Sequence, residues 1–445
     1  MRLKLAALAA LGPAITEETA CAETPSPLRL ERWSEDWSGV HDNALKNIAL
    51  WHDAHLDLGL DARWKLEQLD APKLGVGGEA QDGWWTQRLL AHADVHIDGV
   101  ARLFVQIGAH DAAGRRITSS ADDDRIDLNQ AFIDLHSAFG ATRATLRLGR
   151  QELFLGSPRF VTLRDNGNLR QRHELARLIL TNGSWRADVF SGRPMRDRPG
   201  AFDDSGDRNQ DFYGLRVGRQ FGGVSLDFLY YDLARDNAAI AGVIANERRR
   251  SVGARLVGRV GAYDFDAELL SQTGAFGAQH VRALGASVDG GRRFAEAPWS
   301  PRAGARLSYG SGDSDPFDTR QETFAPPFPR GAWFGQNGLA SFSNTVEAAA
   351  TLGLTPNDKL NVDIKFAGLW RAQDNDYIYA GAGAVPGTRG GSAYIGFTPS
   401  LLLTWRASEN VTVNGYFSAA SVGEQLRQAG AHNSEYFMTS ASLRY

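Results

Sequence analysis

A period of two narrows the fold of this chain more than any other feature. In ATRATLRLGR, residues 141–150, Ala144, Leu146 and Leu148 share one parity, and Arg143, Thr145 and Arg147 share the other. Successive side chains of a strand point to opposite faces, so the segment has an apolar face and a basic face. AHLDLGLDARWKLE sets Leu56, Leu58, Leu60, Ala62, Trp64 and Leu66 against Asp57, Asp61, Arg63, Lys65 and Glu67. WWTQRLLAHADVHID sets Leu89, Ala91, Ala93, Val95 and Ile97 against Arg88, His92, Asp94, His96 and Asp98. VARLFVQIGAH, RRRSVGARLVGRV, PRAGARLSYG and KLNVDIKFAGLWR read the same way, and helical spacing fits them poorly.

From residue 53 onward there are about eighteen such segments, an even number, as bacterial single-chain outer-membrane barrels require. No run of about 18 apolar residues follows the first few dozen positions, so no transmembrane helix is expected. A closed barrel crosses a bilayer without one, because strand pairing satisfies every backbone group. The links alternate in length. Asp98-Gly99, Asn182-Gly183, Gly222-Gly223, Val260-Gly261, the TPND around Pro356 and ASEN at 407–410 read as tight turns. Between them lie long polar links at 70–83, 111–124, 151–171, 193–208, 233–247, 312–340, 372–390 and 420–433. The links at 273–278 and 290–300 break the rule, one short and one long. Short turns on one rim and long loops on the other predict an all-β fold: a single transmembrane antiparallel up-and-down β-barrel with periplasmic turns and extracellular loops. In SEYFMTSASLRY, Phe437, Thr439, Ala441, Leu443 and Tyr445 form the outer parity of a closing strand. The opening segment then divides into a signal peptide over 1–22 and a periplasmic stretch over 23–52, with the barrel over 53–445. Arg2, Lys4, a short apolar run and Ala20-Cys21-Ala22 carry the signal-peptide reading.

Composition excludes several classes. Formal net charge is -4, and no basic track with interleaved aromatics points to nucleic acid. Cys21 is the single cysteine and falls in the leader, so no disulfide is expected. There is no HExxH, GxSxG or phosphate-loop motif, and in GAGAVPG Pro386 stands where a dinucleotide loop needs glycine. An enzyme is not expected.

LRLGRQELFLGSPRFVTLRDNGNLRQRHELARLIL, residues 146–180, resembles the central signature of the alginate export family. The pieces are Gly149-Arg150-Gln151, Leu155-Gly156-Ser157-Pro158-Arg159 and the segment Asn166 to Arg172. LNQAFIDL (128–135) and RLERWSEDWSG (29–39) agree with it, while Arg172-His173-Glu174-Leu175 departs from the usual aromatic and acid. The resemblance implies an outer-membrane barrel of a Gram-negative bacterium that passes an anionic polysaccharide without spending energy itself. Outer-membrane lipid, the polymer or small anions, and periplasmic export proteins are the expected partners of a monomer.

The polar parities supply Arg143, Arg147, Arg216, Arg255, Arg259, Arg302 and Arg306 as lumen residues, and Arg150 and Arg159 of the signature join them. Arginine's planar fork suits carboxylates, and basic pore walls favour anions. Inward acids such as Asp94, Asp134, Glu268 and Asp363 offer the alternative that these arginines are simply paired. The competing functions are a general diffusion or uptake porin and a plugged barrel with a structural or adhesive role. Loop 151–171 reads either as a constriction or as an external loop. Asp203, Asp207, Asn209 and Asp211, with Ser205, have the spacing of oxygen ligands to calcium, though a solvated turn explains them too. His92 and His96 stand too far apart on one strand to share a metal. No other cofactor is expected.

Overall fold

The computed structural model describes residues 28–37, 43–51, 53–76, 78, 81–97, 99–116, 121–155, 157, 159–381 and 383–445. The leader and Asp98 lie outside them. Eighteen strands form one closed antiparallel barrel. In chain order they are β1 (Ala54–Asp70), β2 (Gln81–Ile97), β3 (Ala101–Ala113), β4 (Asp124–Phe139), β5 (Thr142–Glu152), β6 (Arg172–Asn182), β7 (Trp185–Arg196), β8 (Gln210–Phe221) and β9 (Val224–Ile240). They continue as β10 (Val243–Val260), β11 (Tyr263–Phe276), β12 (Gln279–Arg293), β13 (Arg302–Gly310), β14 (Thr345–Asn357), β15 (Leu360–Trp370), β16 (Tyr394–Arg406), β17 (Val411–Val422) and β18 (Ser434–Arg444). Each strand pairs with its sequence neighbours, and β18 closes on β1 from Asp61↔Arg444 to Leu69↔Tyr436. Closure leaves no open sheet edge.

The parities fall as the alternation requires. Leu146 and Leu148 are exposed on the outer wall, and Arg147 between them is 1% exposed. Trp64, Leu103, Ile133, Val189, Phe228, Val252, Leu269, Leu307, Phe366 and Phe437 continue that apolar skin. This is an inverted arrangement for a water-soluble protein and the expected one for a barrel in lipid.

One correction concerns the link expected at 233–247. The ladder of β9 and β10 runs on to Ile240↔Val243 and turns at Ala241 and Gly242, both with positive φ. Leu233 is inward and Arg235 pairs with Glu247 across the hairpin, a bulge between Arg235 and Ala238 then switches the buried parity to Ala238 and Ile240, and the strands extend past the barrel rather than looping. The short turn after Phe276 and the long one before Arg302 stand as the sequence indicates.

Candidate functional site

The bore is occupied by the chain itself. Loop 153–171 folds inward, burying Leu153, Leu155, Phe160, Val161 and Leu163. It meets the inward loop 311–344: Thr162 N donates to Phe328 O at 3.0 Å, and Phe328 N to Phe160 O at 2.9 Å. Phe160 packs edge-on against Phe324 and Phe342, with centroids 5.4 and 5.1 Å away. An apolar cluster thus sits in the bore, where the loops pack against inward strand residues such as Leu175, Phe190, Phe212 and Leu229. Loop 153–171 is the inward element that the sequence left open.

The N-terminal segment occupies the bore too. Arg32 is buried and donates to Leu60 O (3.1 Å) and Tyr445 O (2.8 Å). The Trp33 ring lies 3.9 Å from the Arg147 guanidinium, which also covers Phe132.

The predicted arginines face this bore with one exception, and most are matched by carboxylates. Arg147 makes a bidentate pair with Asp134, both bonds 2.7 Å. Arg255 does the same with Asp266, both at 2.8 Å. Arg306 grips Glu347 at 2.9 and 2.6 Å and lies over Trp333. Arg302 bridges Asp264 and Asp289, and Arg216 bonds Asp227. Arg159, fully buried on the inward loop, reaches Asp266 Oδ1 at 2.8 Å and lies 3.5 Å from Glu268. Arg143 and Arg259 are exposed near the short-turn rim and pair with no described residue. Arg150 is the exception, a correction to its expected place in the lumen. It stands on the outer parity of Leu148, opposite Ala131 and Glu174. It ties Asp127 (2.9 Å), Leu128 O (2.8 Å) and Asp204 O (3.1 Å) together at the long-loop rim.

A group of residues absent from that set gathers several arginines around one loop residue. Asp165, on the inward loop, accepts from Arg88 Nη2 at 2.8 Å and from Arg170 Nε at 2.7 Å. Arg63 donates to the Asp165 carbonyl at 2.5 Å and also to Gly167 O. Arg88 and Arg170 are 1% exposed in this pairing, whereas the Asp165 side chain is 31% exposed. Burial disfavours the Asp165 anion, but the guanidiniums of Arg170, Arg88 and Arg63 outweigh it and hold the carboxyl well below the usual range. Arg63 and Arg88 were legible as inward residues. Their convergence on one loop residue, Arg63 at its main-chain carbonyl and Arg88 at its carboxylate, was not, because the loop lies 102 positions from Arg63 and 77 from Arg88.

The calcium spacing does not survive as a unit. Asp203 gathers with Asp127 and Asp204. Asp207 instead accepts from Asn209 N at 3.1 Å and from Gln210 at 2.7 Å, and Asp211 pairs with Arg193 at 3.1 Å. His96 stacks on His55 of the neighbouring strand, centroids 4.6 Å apart, with Asp57 within ligand distance, and so joins His55 rather than His92.

A closed barrel with an apolar exterior, one rim of long loops and a bore lined by arginine–carboxylate pairs defines an outer-membrane channel. The sequence matches the alginate export family over residues 54–440, and the chain belongs to that family. No curated protein matches the chain. Solved porins share the fold at low identity. A BenF-like porin from Pseudomonas fluorescens Pf-5 is 9% identical, covers 88% of this chain and 99% of its own, and superposes with a TM-score of 0.59. Acinetobacter baumannii OccAB1 is 10% identical, covering 88% and 96%, with a TM-score of 0.58. Pseudomonas aeruginosa OccK2 (OpdF), solved with glucuronate, is 11% identical, covering 87% and 96%, with a TM-score of 0.55.

Proposed function

We propose that the barrel passes an acidic polysaccharide of the alginate type, or other anionic solutes, along its lumenal arginines. The observation behind this reading is the seat of Asp165: a loop carboxylate held by Arg88 and Arg170 and open on its remaining side, with Arg63 on the main-chain carbonyl of the same residue. A uronate carboxylate offers the same two oxygens to the same forks. As the loop yields, the cargo's carboxylate takes the place of Asp165, and Arg159 and Arg306 with the Trp333 face between them extend the track. Because each site already has a resident anion, none holds the cargo permanently, which passage requires. Glucuronate in one similar porin and vanillate in another, Pseudomonas aeruginosa OpdK, are carboxylates of this kind.

Block of single-channel current by oligouronates tests the proposal. Oligomannuronate is expected to interrupt the current while neutral dextran oligomers do not. Arg88→Gln with Arg170→Gln should raise the blocking concentration about a hundredfold, about tenfold for each of the two lost charge-assisted contacts. Equal block by neutral oligomers would favour the general diffusion porin, a reading that the acid–base matching of the wall also supports.

A further inference from the structure

The run ERRRS, residues 247–251, puts arginine on both faces of β10. Glu247, Arg249 and Ser251 are buried inside the barrel. Arg248 and Arg250 point outward, with side chains 56% and 50% exposed. Register extends this into a patch on the outer wall. Asp232 of β9 pairs with Arg250, Arg250 with Thr273 of β11, and Thr273 with Arg282 of β12. Arg250 and Arg282 are therefore two strands apart on one row, about 10 Å. Asp232 is the carboxylate of the patch: Arg248 Nη2 donates to it at 2.8 Å, and Arg250 lies at 3.5 Å. Arg248 and Arg250 thus share Asp232, and Arg282 stands on the same row two strands from Arg250. Arg248 stands one row nearer the loop rim, in register with Ala234 and Asp211, and the Asp211 carboxylate is taken by Arg193 at 3.1 Å.

The next row toward the short-turn rim is apolar or small. It runs Tyr230, Val252, Ser271 and Leu284, and the one after runs Phe228, Ala254, Leu269 and Ala286. Val252, Phe228, Leu269 and Leu284 are exposed. From Val252 to Val260 the outward residues of β10 are Val252, Ala254, Leu256, Gly258 and Val260, roughly the height of the apolar band of such barrels. The arginines therefore stand one step above the hydrocarbon, on the long-loop side, at the depth of the outer-leaflet headgroups.

We propose that this patch binds a phosphorylated lipid of the outer leaflet. The phosphate sits among Arg248, Arg250 and Arg282, and the acyl chains lie along Val252, Leu284, Phe228 and Leu269. Guanidinium forks match phosphate geometry, and surplus arginine beside a bilayer selects anionic headgroups. Asp232 orients Arg248 and Arg250 and leaves the patch positive.

Native mass spectrometry of the full-length protein, released from detergent with bisphosphorylated lipid A added, tests this. Wild type is expected to retain the lipid. Arg248→Gln/Arg250→Gln/Arg282→Gln should cut retention about tenfold, as the loss of charge-assisted contacts implies. Dephosphorylated lipid A should be retained no better by wild type than by the triple variant. Undiminished retention by the triple variant, or displacement of the lipid by inorganic phosphate alone, would overturn the proposal. If a heat-modifiability gel shows the triple variant unfolded, the three single Gln variants decide. Each is expected to lower retention, and unchanged retention in all three overturns the site.

Discussion

Arg32 Nη2 donates to the main-chain carbonyl of Tyr445 at 2.8 Å, across 413 positions of sequence. Nη1 of the same fork reaches Leu60 O at 3.1 Å. Leu60 and Tyr445 exchange backbone bonds of 2.9 and 2.8 Å, so one guanidinium clamps the seam between the first and last strands from inside. Its Nε holds Glu35 at 2.6 Å in the same dry pocket. Arg32→Ala leaves that carboxylate buried without its ion-pair partner, keeping only the Arg29 N–H and the Trp37 indole as donors, and is expected to destabilise the seam by about 3 kcal/mol. Urea unfolding in vesicles, read by gel mobility, measures it. Arg32→Lys should recover only part, because a single ammonium cannot serve two carbonyls and a carboxylate as the fork does.

The outer wall makes its own demand. Leu148 faces lipid while its neighbour Arg147 faces the bore. Leu148→Arg is expected to cost about 2–4 kcal/mol of folding into a bilayer. The fall in folded yield on insertion into vesicles checks it. A wild-type yield would mean that this wall does not meet hydrocarbon.

Asp165→Asn should loosen the inward loop and leave Arg88, Arg170 and Arg63 short of one charge. The expected result is larger conductance, by about twofold, and stronger preference for anions, since unpaired basic groups set pore selectivity. Planar-bilayer recordings of the variant beside wild type check both. Smaller conductance would place Asp165 outside the barrier.

Two loop carboxylates respond to pH with opposite signs. Asp165 is held below the ordinary aspartate value of about 4, so its stabilisation of loop 153–171 is present above that pH and lost as pH falls through its depressed pKa. Asp313, in loop 311–344, is pushed up to about 6 by burial and by the Asp376 carboxylate beside it. Its neutral form fits the fold, so that contribution is full below about 4, declines as pH rises to about 6, and stays lost above. Asp313→Asn should therefore stabilise the loop at pH 7 by about 1 kcal/mol and do little at pH 4. Amide exchange over 311–344 at the two pH values measures it.

Much of this was legible because a barrel needs little beyond parity and turns. Leu146 and Arg147 declare their sides locally, and the final strand declares its outer face through Phe437 and Tyr445. Partners were harder, since they depend on strand stagger and on loops. Arg302 meets Asp264 two strands away, and Arg159 crosses the bore to Asp266. Nothing near Arg88 in the sequence announces Asp165, although RDNGNLRQR carries both that acid and Arg170. Arg150 was misplaced because its motif drew attention away from its parity, which matches Leu148. The hairpin at 240–243 was missed because the polar Arg235-Asp236-Asn237 stretch sits at a bulge that breaks the parity, and so looks like a loop.

The most direct measurement is the reversal potential of the purified, folded protein in a planar bilayer under an approximately tenfold KCl gradient, where basic pore walls favour anions. The account predicts discrete current steps, a reversal potential on the chloride side, and a shift further toward chloride in Asp165→Asn. Folded protein that inserts without current steps, or a channel that reverses on the potassium side, would contradict it.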